Sequence, residues 1–167
     1  MGTKQQLDYY SFQSLVSRNA TYNFVVGGRG LGKTYGAKLM AIRDYIKNGA
    51  QFIYLRRYKT ELSTRTTFFS DIAVEFPGYS FRVRGHEAQI TTGDPEDKKC
   101  HWETIGFFMA LSSAQSRKSV SYPRVRKIIF DEFILEDGAL HYLPKEDEIL
   151  NNLYSTIDRW DDRVKVF

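Results

Sequence analysis

Val25-Val26-Gly27-Gly28-Arg29-Gly30-Leu31-Gly32-Lys33-Thr34 is the stretch on which the reading of this chain turns. From Gly27 to Thr34 it satisfies G-x-x-x-x-G-K-[ST] at every fixed position. Ordinary residue frequencies give such a match by chance in below about 1 % of chains this long. Glycines let successive backbone N–H groups turn inward and form a nest for an anion. A helix that starts at the end of the loop aims its positive dipole end at the same point. A lysine there reaches the β- and γ-phosphates, and the next hydroxyl ligates magnesium. The candidate cradle for ATP is therefore Gly27, Gly28, Arg29, Gly30, Leu31, Gly32, Lys33 and Thr34, continued to Tyr35. Arg29 is open between a contact to the γ-phosphate in its own chain and a pair with a carboxylate.

The flanks fit this loop. Tyr22 to Val26 is a short apolar run that reads as a buried strand before it. Thr34 to Asn48 carries Ala37, Met40, Ala41, Ile42 and Ile46 at helical spacing, and Asn48-Gly49 supplies the stop. Gln51 to Leu55 reads as a second buried strand, and Phe68 to Phe76 as a helix ended by Pro77-Gly78. Tyr79–Val83 and Glu87–Thr91 read as strands around Arg84-Gly85-His86. Gly93 to Lys99 is a charged loop, Trp102 to Leu111 is β-like, and Ser112 to Pro123 is a polar, basic loop. Lys145 to Trp160 has a helical pattern with Ile149, Leu150, Leu153, Ile157 and Trp160 on one side, and Val164 to Phe167 reads as a strand. Strand and helix alternate at both ends of the chain. The expected architecture is α/β: a P-loop NTPase with a mainly parallel central sheet, helices on both faces, and a β insertion around 79–111. Residues 1–20 read as an N-terminal arm or helix, and 21–167 as the nucleotide-binding domain.

A second motif, Lys127-Ile128-Ile129-Phe130-Asp131-Glu132, is an apolar strand that ends in adjacent carboxylates. In company with the glycine-rich loop it reads as a Walker B strand. Asp131 is the candidate magnesium ligand with Thr34, and Glu132 the general base that polarises the attacking water. The Asp-Glu order favours hydrolysis over transfer to a small acceptor, which argues against a small-molecule kinase. A nucleotide-dependent assembly switch stays open as the other alternative.

Basic residues divide into three groups. Arg159 and Arg163 follow the last helix and are candidates for charge stabilisation in a neighbouring subunit's site, or for local pairing with Asp158, Asp161 or Asp162. Arg117 and Lys118 lie in the loop before the Walker B strand, as trans-acting or DNA-contacting cations or as bare surface. Arg56, Arg57 and Lys59 surround Tyr58 and suit a phosphate backbone.

Composition bounds the remainder. The chain has 167 residues, enough for one sizeable core. Hydrophobic residues make up 42 %, which rules out a disordered chain, and the formal net charge of +4 is compatible with a polyanion partner. One cysteine, Cys100, excludes an internal disulfide and a cysteine-based zinc site, and fits a reducing compartment. His86, His101 and His141 are scattered without ligand spacing. No apolar run approaches the ~20 residues of a membrane span, and the N-terminus has no apolar signal core.

GGRGLGKT, QFIYLRRYKTEL, SYPRVRKIIFDEF and the terminal helix with Arg159 together resemble the genome-packaging ATPases of small tailed phages that package protein-capped DNA. That family sits among the terminase-like motors of the ASCE P-loop class. The resemblance covers about residues 20–167. It implies an ATPase that drives double-stranded DNA into a procapsid, as a homomeric ring at the portal vertex in the host cytoplasm. In the best-known relatives the ring is a pentamer that docks on a packaging RNA. The family's trans-acting arginine finger falls on Arg159, a second trans-acting cation on Lys118, and its basic DNA-contacting loop on Arg56, Arg57 and Lys59. Family members carry a further nuclease-like domain that this sequence does not reach.

Overall fold

The structure, a computed structural model, describes residues 11–28, 30–117 (backbone alone at 115–117), 120–135, 138 and 140–167. In chain order its elements are α1 (Gln13–Val16), α2 (Lys33–Asn48), β1 (Gln51–Arg56), β2 (Ser80–Arg84), β3 (Glu87–Thr91), β4 (Glu103–Ala110), β5 (Val125–Phe130), α3 (Glu146–Asp158) and β6 (Lys165–Val166). Six strands form one sheet in the order β2-β3-β4-β1-β5-β6. β4, β1, β5 and β6 run parallel, and the β2–β3 hairpin adds antiparallel strands at one edge. The fold is mixed α/β with a mostly parallel sheet.

β1 is the middle of this sheet. Ile53 faces Phe107 of β4 on one side and Ile128 of β5 on the other. A parallel strand covered on both faces is apolar without interruption, as Phe52-Ile53-Tyr54-Leu55 is. Its side chains alternate between two cores. Phe52 and Tyr54 join Ala37, Ala41, Ile42 and Tyr45 of α2. Ile53 and Leu55 join Leu153 and Ile157 of α3. The stripe of α2 follows the helical repeat, and Gly49, at φ 69°, ends the helix with its N–H on the Tyr45 carbonyl at 2.7 Å. Helices therefore lie on both faces, as the alternation of elements predicts.

Five local expectations change. Tyr22–Val26 is not a buried strand: it touches β6 through one parallel bridge at Tyr22, and Phe24 and Val26 are exposed. The segment has a neighbour on one side only, so alternate residues face solvent. Phe68–Phe76 forms 3-10 turns rather than an α-helix. Lys38, buried in α2 and paired with Asp71, takes the Phe68 carbonyl at 2.9 Å and removes an acceptor that an α-helix there would need. β4 is no insertion, since it pairs in parallel with β1 in the heart of the sheet, and only β2 and β3 are additional. The loop expected from Ser112 begins instead within a 3-10 helix, Leu111–Arg117. Trp160 lies beyond α3 and points into solvent. Of the proposed arm, residues 1–10 lie outside the described part. Phe12 is buried and packs edge-on against Phe167 at 6.0 Å.

Candidate functional site: a phosphate cradle facing paired carboxylates

Parallel strands deliver their loops to one end of the sheet, and there the two motifs meet. The turn into α2 needs left-handed backbone at Gly30 (φ 81°) and Gly32 (φ 69°), which only glycine adopts freely. Lys33 opens α2 and folds back over the loop, donating to the carbonyls of Gly27 at 2.7 Å and Gly28 at 2.6 Å. Thr34 Oγ1 donates to Asp131 Oδ1 at 2.9 Å, across 97 residues of sequence. A cleft of about 680 Å³ runs between the loop and the end of β5, lined by Gly27, Gly30, Leu31, Gly32, Lys33, Thr34, Tyr35, Asp131 and Glu132. Tyr35 also reaches sideways to Glu75 at 2.7 Å.

These residues fit a magnesium nucleotide. Among the described residues the ammonium of Lys33 is held by neutral carbonyls, so an anion would bind it more strongly than these partners do. The Thr34 hydroxyl and the Asp131 carboxylate present hard oxygen donors side by side, the donor set magnesium takes. Among the described residues no cluster of His, Cys, Asp and Glu forms another metal site.

Three residues that were not expected here complete the cluster. Tyr54, on β1, donates its hydroxyl to Asp131 Oδ2 at 2.5 Å. Burial raises the Tyr54 pKa, and the Asp131 charge raises it further, so the phenol stays a donor. Arg56, one residue beyond Leu55, donates to Asp131 Oδ2 at 3.3 Å, to Glu132 Oε2 at 2.6 Å and to Glu61 Oε1 at 2.9 Å. Burial works against the Arg56 charge. The Glu61 hydrogen bond, with Tyr54 and Glu132, outweighs it and raises the pKa. Glu61 completes its own turn by accepting the Tyr58 N–H at 2.6 Å. Glu132 stands at φ 58°, an unusual backbone for a side chain of that size, with its carboxylate largely exposed.

Arg57 holds that conformation. It is completely buried. Its guanidinium pairs with Glu146 through Nε at 2.7 Å and Nη2 at 2.8 Å, and donates to the carbonyls of Glu132 at 3.1 Å and Phe133 at 2.7 Å. The rings of Phe130 and Tyr142 flank it at 5.4 and 4.9 Å. The expectation that Arg56, Arg57 and Lys59 act together on a phosphate backbone is corrected for the first two: Arg56 is engaged with three carboxylates and Arg57 has no exposed surface. Lys59 is exposed. A sequence signal for Tyr54 did exist, because a tyrosine in a buried apolar strand requires a partner for its hydroxyl. None existed for Glu146, which is 89 residues from Arg57.

Arg159 is elsewhere. α3 starts at Arg57 and runs back along the sheet for about 20 Å, so Arg159 caps its far end in the left-handed conformation, φ 53°. It is exposed, with no ion pair among the described residues. Arg163 is not a free cation: it clamps the carbonyls of Val125 at 2.5 Å, Pro123 at 3.2 Å and Ile157, and pairs with Asp161 at 3.3 Å. Arg29 and Lys118 lie outside the described residues.

A mostly parallel α/β sheet with this loop and these carboxylates at one end defines the class: the structure is similar to solved ATPase domains of viral packaging proteins. It matches the N-terminal domain of the DNA packaging ATPase from bacteriophage phi29 with TM-score 0.82 and 40 % identity, covering 95 % of this chain and 76 % of that one. The likeness to the large terminase ATPase domain of Thermus phage P74-26, TM-score 0.54 at 12 % identity over 94 % of this chain and 63 % of that one, is one of fold alone. Residues 4–167 match the family of podovirus DNA encapsidation proteins (Gp16), and the chain belongs to it. It is 41 % identical over 157 residues to the DNA packaging protein of Bacillus phage phi29, covering 94 % of this chain and 44 % of that protein. To that of Bacillus phage B103 it is 44 % identical over 145 residues, covering 87 % and 42 %. The chain thus spans less than half the length of these relatives.

Proposed function

We propose that this chain is the ATP-hydrolysing part of a phage DNA packaging motor, acting at the capsid in the infected host. The observation that carries the reading is the contact of Thr34 with Asp131 at 2.9 Å, beside a lysine that donates to loop carbonyls. Family membership supplies the packaging role. ATP would lie in the cradle from Gly27 to Tyr35, with Arg29 inside it. Lys33 neutralises charge on the β- and γ-phosphates. Thr34 and Asp131 would hold Mg²⁺, which supplies Lewis-acid neutralisation of the phosphate oxygens. Tyr54 and Arg56, both donating to Asp131 Oδ2, orient the carboxylate so that Oδ1 faces Thr34 and the cation. Glu132 accepts the proton of the attacking water. Its Oε2 is held by Arg56, and no bond to Oε1 occurs among the described residues.

Among the described residues, Lys33 and Arg56 are the cations near the carboxylates, and Arg56 is already engaged by three of them. Arg159 cannot reach its own site, since it stands at the opposite end of the sheet. A homomeric ring, in which the Arg159 of one subunit enters the cleft of the next and Lys118 assists, would supply a further cation. In such a ring double-stranded DNA would run past Lys59, with the portal and a packaging RNA as further partners.

The test is ATP hydrolysis over a range of protein concentrations, for wild type and Arg159→Ala. Specific activity should climb with concentration for wild type and stay flat for the variant. Equal activity of both at every dilution would mean that each subunit carries a complete site, and the ring mechanism fails.

A further inference from the structure

The turn after α3 is built more rigidly than an arginine alone requires. Asp158 is buried and accepts three backbone N–H groups, from Asp162 at 3.0 Å, Arg163 at 2.8 Å and Val164 at 2.9 Å. Arg163 locks the same turn to the start of β5. Arg159, Trp160 and Asp162 all take left-handed backbone, at φ 53°, 69° and 48°. Three departures of this kind within four residues cost strain, and the Asp158 and Arg163 bonds hold them in place. The result is a fixed knuckle that presents Arg159 and Trp160 side by side. Trp160 is 94 % exposed. An isolated indole in water, on a turn with no freedom to hide it, is the kind of side chain that anchors an interface.

At the other end of the molecule lies a recess of matching character. A cleft of about 520 Å³ is lined by Phe24, Phe133, Ile134, Tyr142 and Leu150, with Glu146 and Asp147 at its rim. Phe24 is 69 %, Tyr142 55 % and Ile134 50 % exposed. It shares Phe130, Phe133, Ile134 and Phe167 with the nucleotide cleft, so the two open onto one surface. The nucleotide cleft presents the carboxylates of Asp131 and Glu132, and the other is largely apolar, with Lys145 and Asp147 beside it and Glu146 turned to Arg57. A neighbouring cation beside an indole complements that pair in both respects.

We infer that Trp160 of one copy of this chain docks into the apolar cleft between Phe24, Ile134 and Tyr142 of the next copy, and so registers Arg159 at the adjoining nucleotide cleft. The occupant is a second copy because the matching surface stands on the opposite end of the same molecule. Such a contact is heterologous, and repeated it closes a ring or extends a filament. The inference rests on the trans role of Arg159, yet Trp160 is a docking residue with its own readout.

Sedimentation velocity with Mg²⁺ and a slowly hydrolysed ATP analogue reads it. Wild type should associate as concentration rises. Trp160→Ala, which disturbs no packing, should weaken association by about tenfold or more. Phe24→Ser with Ile134→Ser, on the receiving side, should do the same. A one-to-one mixture of the two variants retains one intact knuckle and one intact cleft, so it should stop at dimers. Emission from Trp160 in a Trp102→Phe background should shift to the blue on association. Arg159→Ala should still associate while losing turnover. If wild type stays monomeric, if Trp160→Ala associates like wild type, or if the mixture forms no dimer, the docking is wrong. If Trp160→Ala fails to associate but Arg159→Ala hydrolyses ATP normally, the docking stands and the finger falls.

Discussion

The two ends of the parallel strands hold their charges in opposite ways. At the end where β1 and β5 finish, Arg56, Arg57, Asp131, Glu132, Glu61 and Glu146 are drawn into one network with Tyr54 and Thr34, and little of it faces outward. At the other end, Asp158 and Arg163 chiefly satisfy the backbone, Arg163 pairing also with Asp161, while Arg159 and Trp160 stand in solvent. The first arrangement is a site with its geometry pre-set. The second is a charge pre-set with no site. The difference teaches how far the sheet separates the two: Arg159 stands a helix length from Asp131 and Glu132, and under the proposed ring mechanism a second copy would bring them together.

The comparison breaks most visibly at Arg159. Arg159→Ala should lower hydrolysis by roughly 10³- to 10⁵-fold with little effect on nucleotide affinity, and a Glu132→Gln partner that donates its own Arg159 should restore part of the activity. Steady-state turnover of the mixture checks both. Next comes Glu132→Gln, which should keep ATP bound and slow its hydrolysis by roughly 10²- to 10⁴-fold; loss of binding instead would remove Glu132 from the role of base. Arg57→Ala should cost about 3–5 kcal/mol of stability by leaving Glu146 buried without its partner, read as a lowered unfolding midpoint. Arg57→Lys should recover little, because one ammonium cannot replace a fork that serves a carboxylate and two carbonyls.

The smallest effect is at the far turn. Burial alone would raise the pKa of Asp158, but the N–H groups of Val164, Arg163 and Asp162 outweigh it and lower the pKa below 3.8. A carboxyl with a depressed folded pKa adds stability that is complete above its unfolded value and is lost as pH falls through the folded one. Asp158→Asn should therefore lower stability at neutral pH by about 1–3 kcal/mol and flatten the acid limb below pH of about 4. Urea unfolding at a series of pH values reads this directly. An unchanged acid limb would mean that the turn is held by Arg163 alone.

Much of the fold was legible because its signals are local. Helix α2 announces itself by its stripe and by Gly49, and β1 and β5 by unbroken apolar runs. The errors fall where a distant residue intervenes. Phe68–Phe76 has helical spacing, yet Lys38 takes its first carbonyl. Trp160 continues the spacing of α3, yet the three N–H bonds to Asp158 turn the chain before it. Tyr22–Val26 is apolar enough for a core strand, but strand order leaves it a single neighbour. The cradle and the paired carboxylates were readable for the same reason as α2: each is contiguous, and its chemistry follows from residue type and order.

The sequence by itself determined which groups this protein offers for phosphate chemistry, the contiguous runs Gly27–Thr34 and Asp131-Glu132. Only the tertiary structure decided what the arginines do. A cation is drawn to whatever carboxylate the fold brings within a few ångströms, and its desolvation is tolerable only there. Arg56 and Arg57 adjoin Lys59 in sequence, but the register of β1 against β5 turns the first two inward onto Asp131, Glu132 and Glu146, while Lys59 stays in water. Arg159 and Arg163 are four residues apart, yet Arg163 is spent on backbone carbonyls while Arg159 is exposed and has no ion pair among the described residues.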